Sequence, residues 1–219
     1  MTSINLQIPK DKREKIYLAS LKEFAEKGYD KASTNQITQA AGISKGLLFH
    51  YFKNKKNLYL HIFDQCLHLI KNQILLQVKK LPTDLFDRLL LFGKIKIDVF
   101  TTHPLEYRFL FASVYEVPDE LRNEIKDKLE EFHQLNSSLL FSNIDRSNFR
   151  PGINQDKTIQ TVFLLLEAVS NKHIQTLQTQ SDKGLSLFED IYQEITEVCE
   201  ILKYGIYQSK EHLSNSSHP

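Results

Sequence analysis

The sequence predicts an all-α protein, with a small N-terminal three-helix domain carrying a helix-turn-helix and a larger helical domain after it. Three observations predict this. Apolar residues recur at helical spacing along almost all of the 219 residues, and strict alternation is rare. The seven Gly and six Pro are too few for a turn-rich β fold, and they punctuate the periodic stretches. Charge is divided: residues 1–60 carry 11 Lys and Arg against 5 Asp and Glu, and the remainder 17 against 22, under a net charge of only +1. A basic head on an acidic body points to a polyanionic partner for the head alone.

The breaks at Gly28, Gly42, Pro82, Pro104, Pro118, Pro151-Gly152 and Gly184 delimit nine expected helices, over 11–27, 34–41, 45–51, 55–80, 84–102, 104–115, 119–143, 155–179 and 185–208. The expected domains are 1–54, 55–208 and a polar tail over 209–219. An apolar content of 41% supports a real core and excludes global disorder. Cys66 and Cys199 fit neither a metal spacing nor a disulfide framework, and both sit in amphipathic stretches as small hydrophobes would. No cofactor and no metal are expected. The opening MTSINLQIPKDK lacks an apolar signal core, and no apolar run is long enough to span a bilayer. A cytoplasmic protein without membrane contact is the expectation.

Residues 34–52 read TNQITQAAGISKGLLFHYF. Thr34 is a good N-cap, because its hydroxyl can accept a free backbone N–H of the first turn. Ile37 and Ala41 share an inward face, Gly42 ends the helix at positive φ, Ile43 plugs the core and Ser44 caps the next helix. A helix, a Gly turn and a second short helix make a helix-turn-helix, whose second helix enters the major groove. The residue types at that end suit DNA. Lys45 supplies charge, and Gly46 removes a side chain where the backbone must approach a duplex. Phe49, His50 and Tyr51 add aromatic and polar reach, and Lys53, Lys55 and Lys56 follow as a basic cluster. Thr34, Ser44 and Tyr51 are hydroxyl donors for phosphate.

The stretch GYDKASTNQITQAAGISKGLLFHYFKNKKNL resembles the DNA-binding signature of the TetR family of bacterial transcriptional regulators. The matching positions are Gly28-Tyr29, Ser33-Thr34, Ile37-Thr38, Ala41-Gly42-Ile43-Ser44, Gly46, Leu48-Phe49, Tyr51-Phe52, Lys55-Lys56 and Leu58. With the preceding helix this covers about the first quarter of the chain. Three positions depart from the pattern. Thr38 replaces Ala, Phe49 replaces Tyr and loses a phosphate-bonding hydroxyl, and Lys56 replaces Glu. A cation at position 56 opposes the dipole of its helix but suits a neighbouring phosphate. The resemblance implies a homodimer that represses transcription from double-stranded operator DNA and is released by a small-molecule effector. The DNA contacts expected are Thr34, Ser44, Lys45, Gly46, Phe49, His50, Tyr51 and Lys55.

The last two helices carry three-four apolar stripes, as dimer-forming helix pairs do. The interface is expected at Phe163, Leu166, His173, Phe188, Ile191, Ile195, Val198 and Leu202. The alternative is that these stripes only bury each helix within its own domain. The middle helices are rich in aromatics, which suit a ligand pocket as well as an ordinary core. The effector contacts expected are Phe100, Tyr107, Phe111 and Phe163, with Glu167 and Asn171 as polar members. Glu167 is a carboxylate within an apolar run, which must be solvated, paired or functional. No phosphate loop, metal constellation or nucleophile turn supports catalysis. Two readings compete with the ligand-gated regulator: a regulator gated by a protein partner, and an all-helical enzyme or carrier. Protection of a palindromic operator separates a regulator from the latter.

Overall fold

The helical periodicity is realised along the chain. The computed structural model describes residues 8–115, 118–179 and 184–207. Among them are nine α-helices: α1 (Lys10–Lys31), α2 (Thr34–Ala41), α3 (Lys45–Phe52), α4 (Lys55–Gln77), α5 (Leu85–Thr102), α6 (Pro104–Tyr115), α7 (Arg122–Phe141), α8 (Gln155–Thr179) and α9 (Gly184–Ile206). The expected polar tail over 209–219 lies outside the described residues. Two boundaries differ from the sequence reading for local reasons. The last turn of the expected 55–80 helix tightens to 3₁₀ geometry over Val78–Lys80, and α7 is preceded by a 3₁₀ turn over Asp119–Leu121. α1 runs on past its expected end, but bends at Gly28 (φ 69°, ψ 178°), a conformation essentially restricted to glycine.

The chain forms two compact units that interleave in sequence. One takes the residues up to Leu75 together with Thr102–Gln134, and the other takes Leu76–Thr101 with everything from Leu135 onward. This division differs from a linear cut after residue 54, because α6 and the first half of α7 share a core with α1–α4. Phe24 of α1, Tyr59 of α4 and Phe109 of α6 form a ring cluster, with centroids 4.8 Å apart for Phe24–Tyr59 and 5.0 Å for Tyr59–Phe109. The Tyr59 and Ser113 hydroxyls are hydrogen-bonded at 2.6 Å in the same core, so the polar end of a buried tyrosine is satisfied. Ion pairs flank it, Lys56 to Glu124 at 2.6 Å and Lys128 to Asp64 at 2.5 Å. Cys66 is fully buried here as a small hydrophobe, and burial pushes its thiol up to about 12.

In the second unit, Arg88 of α5 is only 5% exposed. Its guanidinium donates to the carbonyls of Pro82 (2.6 Å), Leu139 (3.3 Å) and Ser142. A buried cation is thus satisfied by backbone carbonyls, two of them at the C-terminal end of α7 and one just before α5. The Tyr207 hydroxyl donates to Asp84 at 2.8 Å, fixing the end of α9 to the start of α5.

α8 packs along α9. Ile159, Val162 and Leu166 of α8 are buried, and the Phe163 ring meets Phe141 of α7 edge-on at 5.2 Å. The stripe read from the sequence as a dimer interface therefore turns toward its own unit on α8. Other apolar residues of these two helices are exposed: Leu164 (62% exposed) and Leu165 on α8, and Ile201 (71%) and Tyr204 (86%) on α9. Ile191, Ile195, Val198 and Leu202 are half-buried. The side chains of His173 and Phe188 lie outside the described residues.

Candidate nucleic-acid interface

The helix-turn-helix forms as its capping residues dictate, with one difference. Ser33, not Thr34, is the N-cap of α2: its backbone is extended and its hydroxyl accepts the Gln36 N–H at 3.5 Å. The two adjacent hydroxyl residues are equivalent as sequence. Glu23 of α1 decides between them by accepting the Ser33 N–H at 2.9 Å. Gly42 ends α2 in the left-handed region (φ 65°, ψ 37°), and its N–H bonds back to Gln39. Ile43 packs against the core. The Ser44 hydroxyl accepts the Leu47 N–H at 3.2 Å, which leaves its own O–H to donate outward.

α3 is anchored by Leu48 and Phe52, both buried. Its other side presents Ser44, Lys45, Gly46 and His50 to solvent, with Phe49 half-exposed. The Lys45 ammonium lies 5.9 Å from the Phe49 ring centre. Around Gly46 nothing stands within 4 Å of where a Cβ would be, so the protein's own packing places no demand for glycine there. Tyr51 is half-buried against the core, with its ring edge-on to His50 at 5.4 Å. Thr34 is half-exposed at the start of α2.

Lys55 is partly committed: its ammonium donates to the Asp30 carbonyl at 3.1 Å and sits 4.9 Å over the Tyr29 ring. Lys56 is not the free phosphate-facing cation that the sequence suggested. Its side-chain bond to Glu124 holds that carboxyl below the usual carboxylate range, and it also donates to the Glu120 carbonyl at 2.6 Å. The acidic partners are some 65 positions away in sequence, so no local pattern reveals them. The sequence reading also passed over Asn35, Gln36 and Gln39, exposed amides on α2, and Asn54, exposed beside Lys53 of the basic cluster at the end of α3. Their signal was available: polar amides on the outer face of the first helix of such a motif.

The residues expected to line an effector pocket fall in both units. Tyr107 and Phe111, half-buried, belong to the first, and burial pushes the Tyr107 phenol up to about 12. Phe100 and Phe163, half-buried, belong to the second. Glu167 and Asn171 are exposed on α8, which removes the reason for reading them as polar members of an enclosed site. Among the described residues no group of His, Cys, Asp or Glu is placed to hold a metal ion, and no helix is long and apolar enough to cross a membrane.

A capped helix-turn-helix with an open, basic and aromatic second helix defines a DNA-binding protein of the helix-turn-helix class. Residues 16–62 match the family model of bacterial regulatory proteins, tetR family, and residues 83–207 match the tetracyclin repressor-like C-terminal domain. The chain belongs to the TetR family. It is 38% identical over 52 residues to the HTH-type transcriptional repressor AcnR of Corynebacterium glutamicum, a match covering 24% of this chain and 28% of that protein. It is 21% identical over 170 residues to IcaR, a negative transcriptional regulator of a biofilm operon in Staphylococcus aureus, covering 71% of this chain and 81% of the relative. The first two curated relatives are thus matched over only about a quarter of their length, 28% and 26%. Among solved structures, the regulator FadR from Bacillus subtilis in complex with stearoyl-CoA superposes with a TM-score of 0.59 at 17% identity, covering 84% of this chain and 97% of that one. A TetR regulator from Chloroflexus aurantiacus gives 0.64 at 18% identity, covering 91% and 98%. These likenesses carry the fold.

Proposed function

We propose that the protein is a cytoplasmic, homodimeric transcriptional repressor that binds a palindromic operator through α3 and releases it when a small amphipathic molecule occupies the second unit. The observation that carries this reading is the outer face of α3. Lys45, Gly46 and His50 are exposed together on a helix whose opposite side is fixed in the core, and no packing role accounts for them. A rigid helix presenting a cation, a bare backbone and aromatic edges is what groove reading requires. The exposed hydroxyl of Ser44 and the half-exposed Thr34 suit phosphate contacts that fix the register. Repression follows the printed descriptions of AcnR and IcaR, and a ligand-gated second unit is the counterpart of the FadR complex with stearoyl-CoA.

Homodimerisation is assigned to the face bearing Leu164, Leu165, Ile201 and Tyr204. Apolar side chains this exposed on two neighbouring helices mark an association surface. Footprinting on the DNA flanking the protein's own gene tests the reading. The expected result is a protected palindrome with half-sites about one helical turn apart, roughly 34–36 Å. Lys45→Ala should weaken binding and change the preferred half-site. Absence of any protected sequence, or identical protection by the Lys45→Ala protein, defeats it.

A further inference from the structure

Among the described residues of the second unit, Lys96 is drawn into the protein without an acidic partner. Lys96 lies on α5 beside Ile95 and Val99, both buried, and its ammonium sits over the face of Phe92 at 4.9 Å. It remains partly exposed, yet protein surrounds it closely enough for burial to push its pKa down. A cation so placed loses much of its hydration and gains only a ring face in return. α7 supplies a second unsatisfied group. Asn136 is 9% exposed and its Oδ1 has no hydrogen-bond partner.

The helices carrying these groups are tied at one end. Arg88 of α5 donates to Leu139 and Ser142 at the end of α7, and the Asp145 N–H donates to the Thr83 carbonyl at 2.8 Å. About one helical turn inward from that junction lie Phe92 on α5 and Asn136 on α7. Side chains on a helix lean toward its N-terminus, and Lys96 does so, folding back over Phe92. Its ammonium therefore sits at the level of Phe92, one turn from the junction, as Asn136 does on α7. A cation over a ring face and an amide oxygen without a partner thus lie at one level on two helices tied at the same end.

We propose that Lys96 and Asn136 hold the carboxylate head group of an amphipathic effector, whose hydrocarbon chain lies against Phe92 and its apolar neighbours on α5. This rests on the reading of the second unit as effector-binding and specifies the chemistry of that site. The ammonium provides a charge-assisted hydrogen bond, and the Asn136 amide, turned about its Cβ–Cγ bond, provides an N–H to the second carboxylate oxygen. A carboxylate also supplies the counter-charge that Lys96 lacks. A cationic ligand would meet repulsion from Lys96 and no help from Glu167, which is exposed.

Calorimetry on the full-length protein with dodecanoate, dodecan-1-ol and dodecyltrimethylammonium tests this. Dodecanoate should bind most tightly. Lys96→Met should weaken it by about tenfold or more, the usual worth of a hydrogen bond to a charged group. Lys96→Arg should keep most of the affinity, and dodecan-1-ol should bind both forms alike. A thermal melt of each variant separates loss of the site from loss of the fold, and Asn136→Leu gives an independent variant expected to weaken dodecanoate only. No binding of dodecanoate to the unmodified protein overturns the proposal, as does unchanged affinity in folded Lys96→Met or a preference for the ammonium amphiphile. Operator binding, read separately by gel shift, reports on the regulator itself. Its absence would sink the repressor reading and leave the carboxylate site standing.

Discussion

Around Gly46, in the first turn of α3, there is open space where a Cβ would stand, and its φ is not positive. Within a helix, glycine costs up to about 1 kcal/mol relative to alanine, so a glycine that packing does not need is a local liability. Under the proposed function, the glycine serves the close approach of the duplex to α3 from outside. Gly46→Ala is expected to raise stability in urea unfolding by a few tenths to about 1 kcal/mol. It should lower operator affinity by roughly tenfold or more, equivalent to one good base contact. The two effects have opposite signs. An alanine variant that binds the operator as well as the parent would show that α3 does not approach the duplex at this point. Lys56 gives the converse lesson at the same scale: a basic residue in the basic cluster is occupied by Glu124 and is therefore an internal tie.

Between α3 and α4 the chain turns within two residues. Lys53 adopts φ 64° and ψ −50°, and the Asn54 N–H bonds to the Phe52 carbonyl at 2.7 Å. This is a γ-turn with positive φ, a strained form for a residue with a side chain. Asn54 then caps α4 by accepting the Asn57 N–H at 2.8 Å. The junction joins α3 to α4 through a single tight turn. Lys53→Gly should relieve strain and stabilise the fold by about 1 kcal/mol, the low end of the cost of such a backbone. It should also remove one cation from the DNA-facing side, so operator affinity should fall more at low salt than at high salt. A less stable glycine variant in urea would mean the turn is not strained.

A second test at this scale concerns α8 and α9. Ile201→Glu should leave the protomer folded and make it monomeric in sedimentation, since a dimer would have to bury the new carboxylate. Leu166→Glu, placed inside the unit, should instead unfold it. Dimers persisting in Ile201→Glu would move the interface elsewhere.

The proposed repression and release would act through two units that share helices. α4 and α7 each contribute residues to both, so an event in one unit has a covalent path to the other. In the first unit that path ends on Tyr59–Ser113 and Lys56–Glu124, which tie α6 and α7 to the helices of the DNA-binding head. Induction requires only that the effector bind one conformational state better than another. Linkage then demands reciprocity: operator DNA must weaken effector binding by the factor by which effector weakens operator binding. Titrating the effector with and without saturating operator measures both. Equal affinity in the two titrations would rule that compound out as an inducer. Operator affinity itself should fall steeply with salt, because each neutralised phosphate releases counterions. A nearly flat salt dependence would contradict the assigned basic face.

The sequence alone determined the helical class, most of the helix boundaries and the DNA-binding motif, because these rest on local physics. Capping residues, a Gly in the left-handed region and three-four apolar spacing act over a few residues and are legible one turn at a time. Even there, choosing between Ser33 and Thr34 as the cap of α2 required Glu23, a residue of the preceding helix. What only the tertiary structure decided depends on partners distant in the chain. The segment VFLLLEAV of α8 is apolar on several faces, so periodicity could not say that Leu166 turns inward while Leu164 turns out. The packing of α9 and α7 against it decides that. Glu167 stood out as a carboxylate in an apolar run, yet it rides on the exposed side of that helix. Lys96 and Asn136 look like ordinary surface residues in sequence, and burial leaves them as unsatisfied polar groups. A charge acquires chemical meaning from what surrounds it, and burial of a side chain is set by the packing of the whole unit, which no local pattern displays.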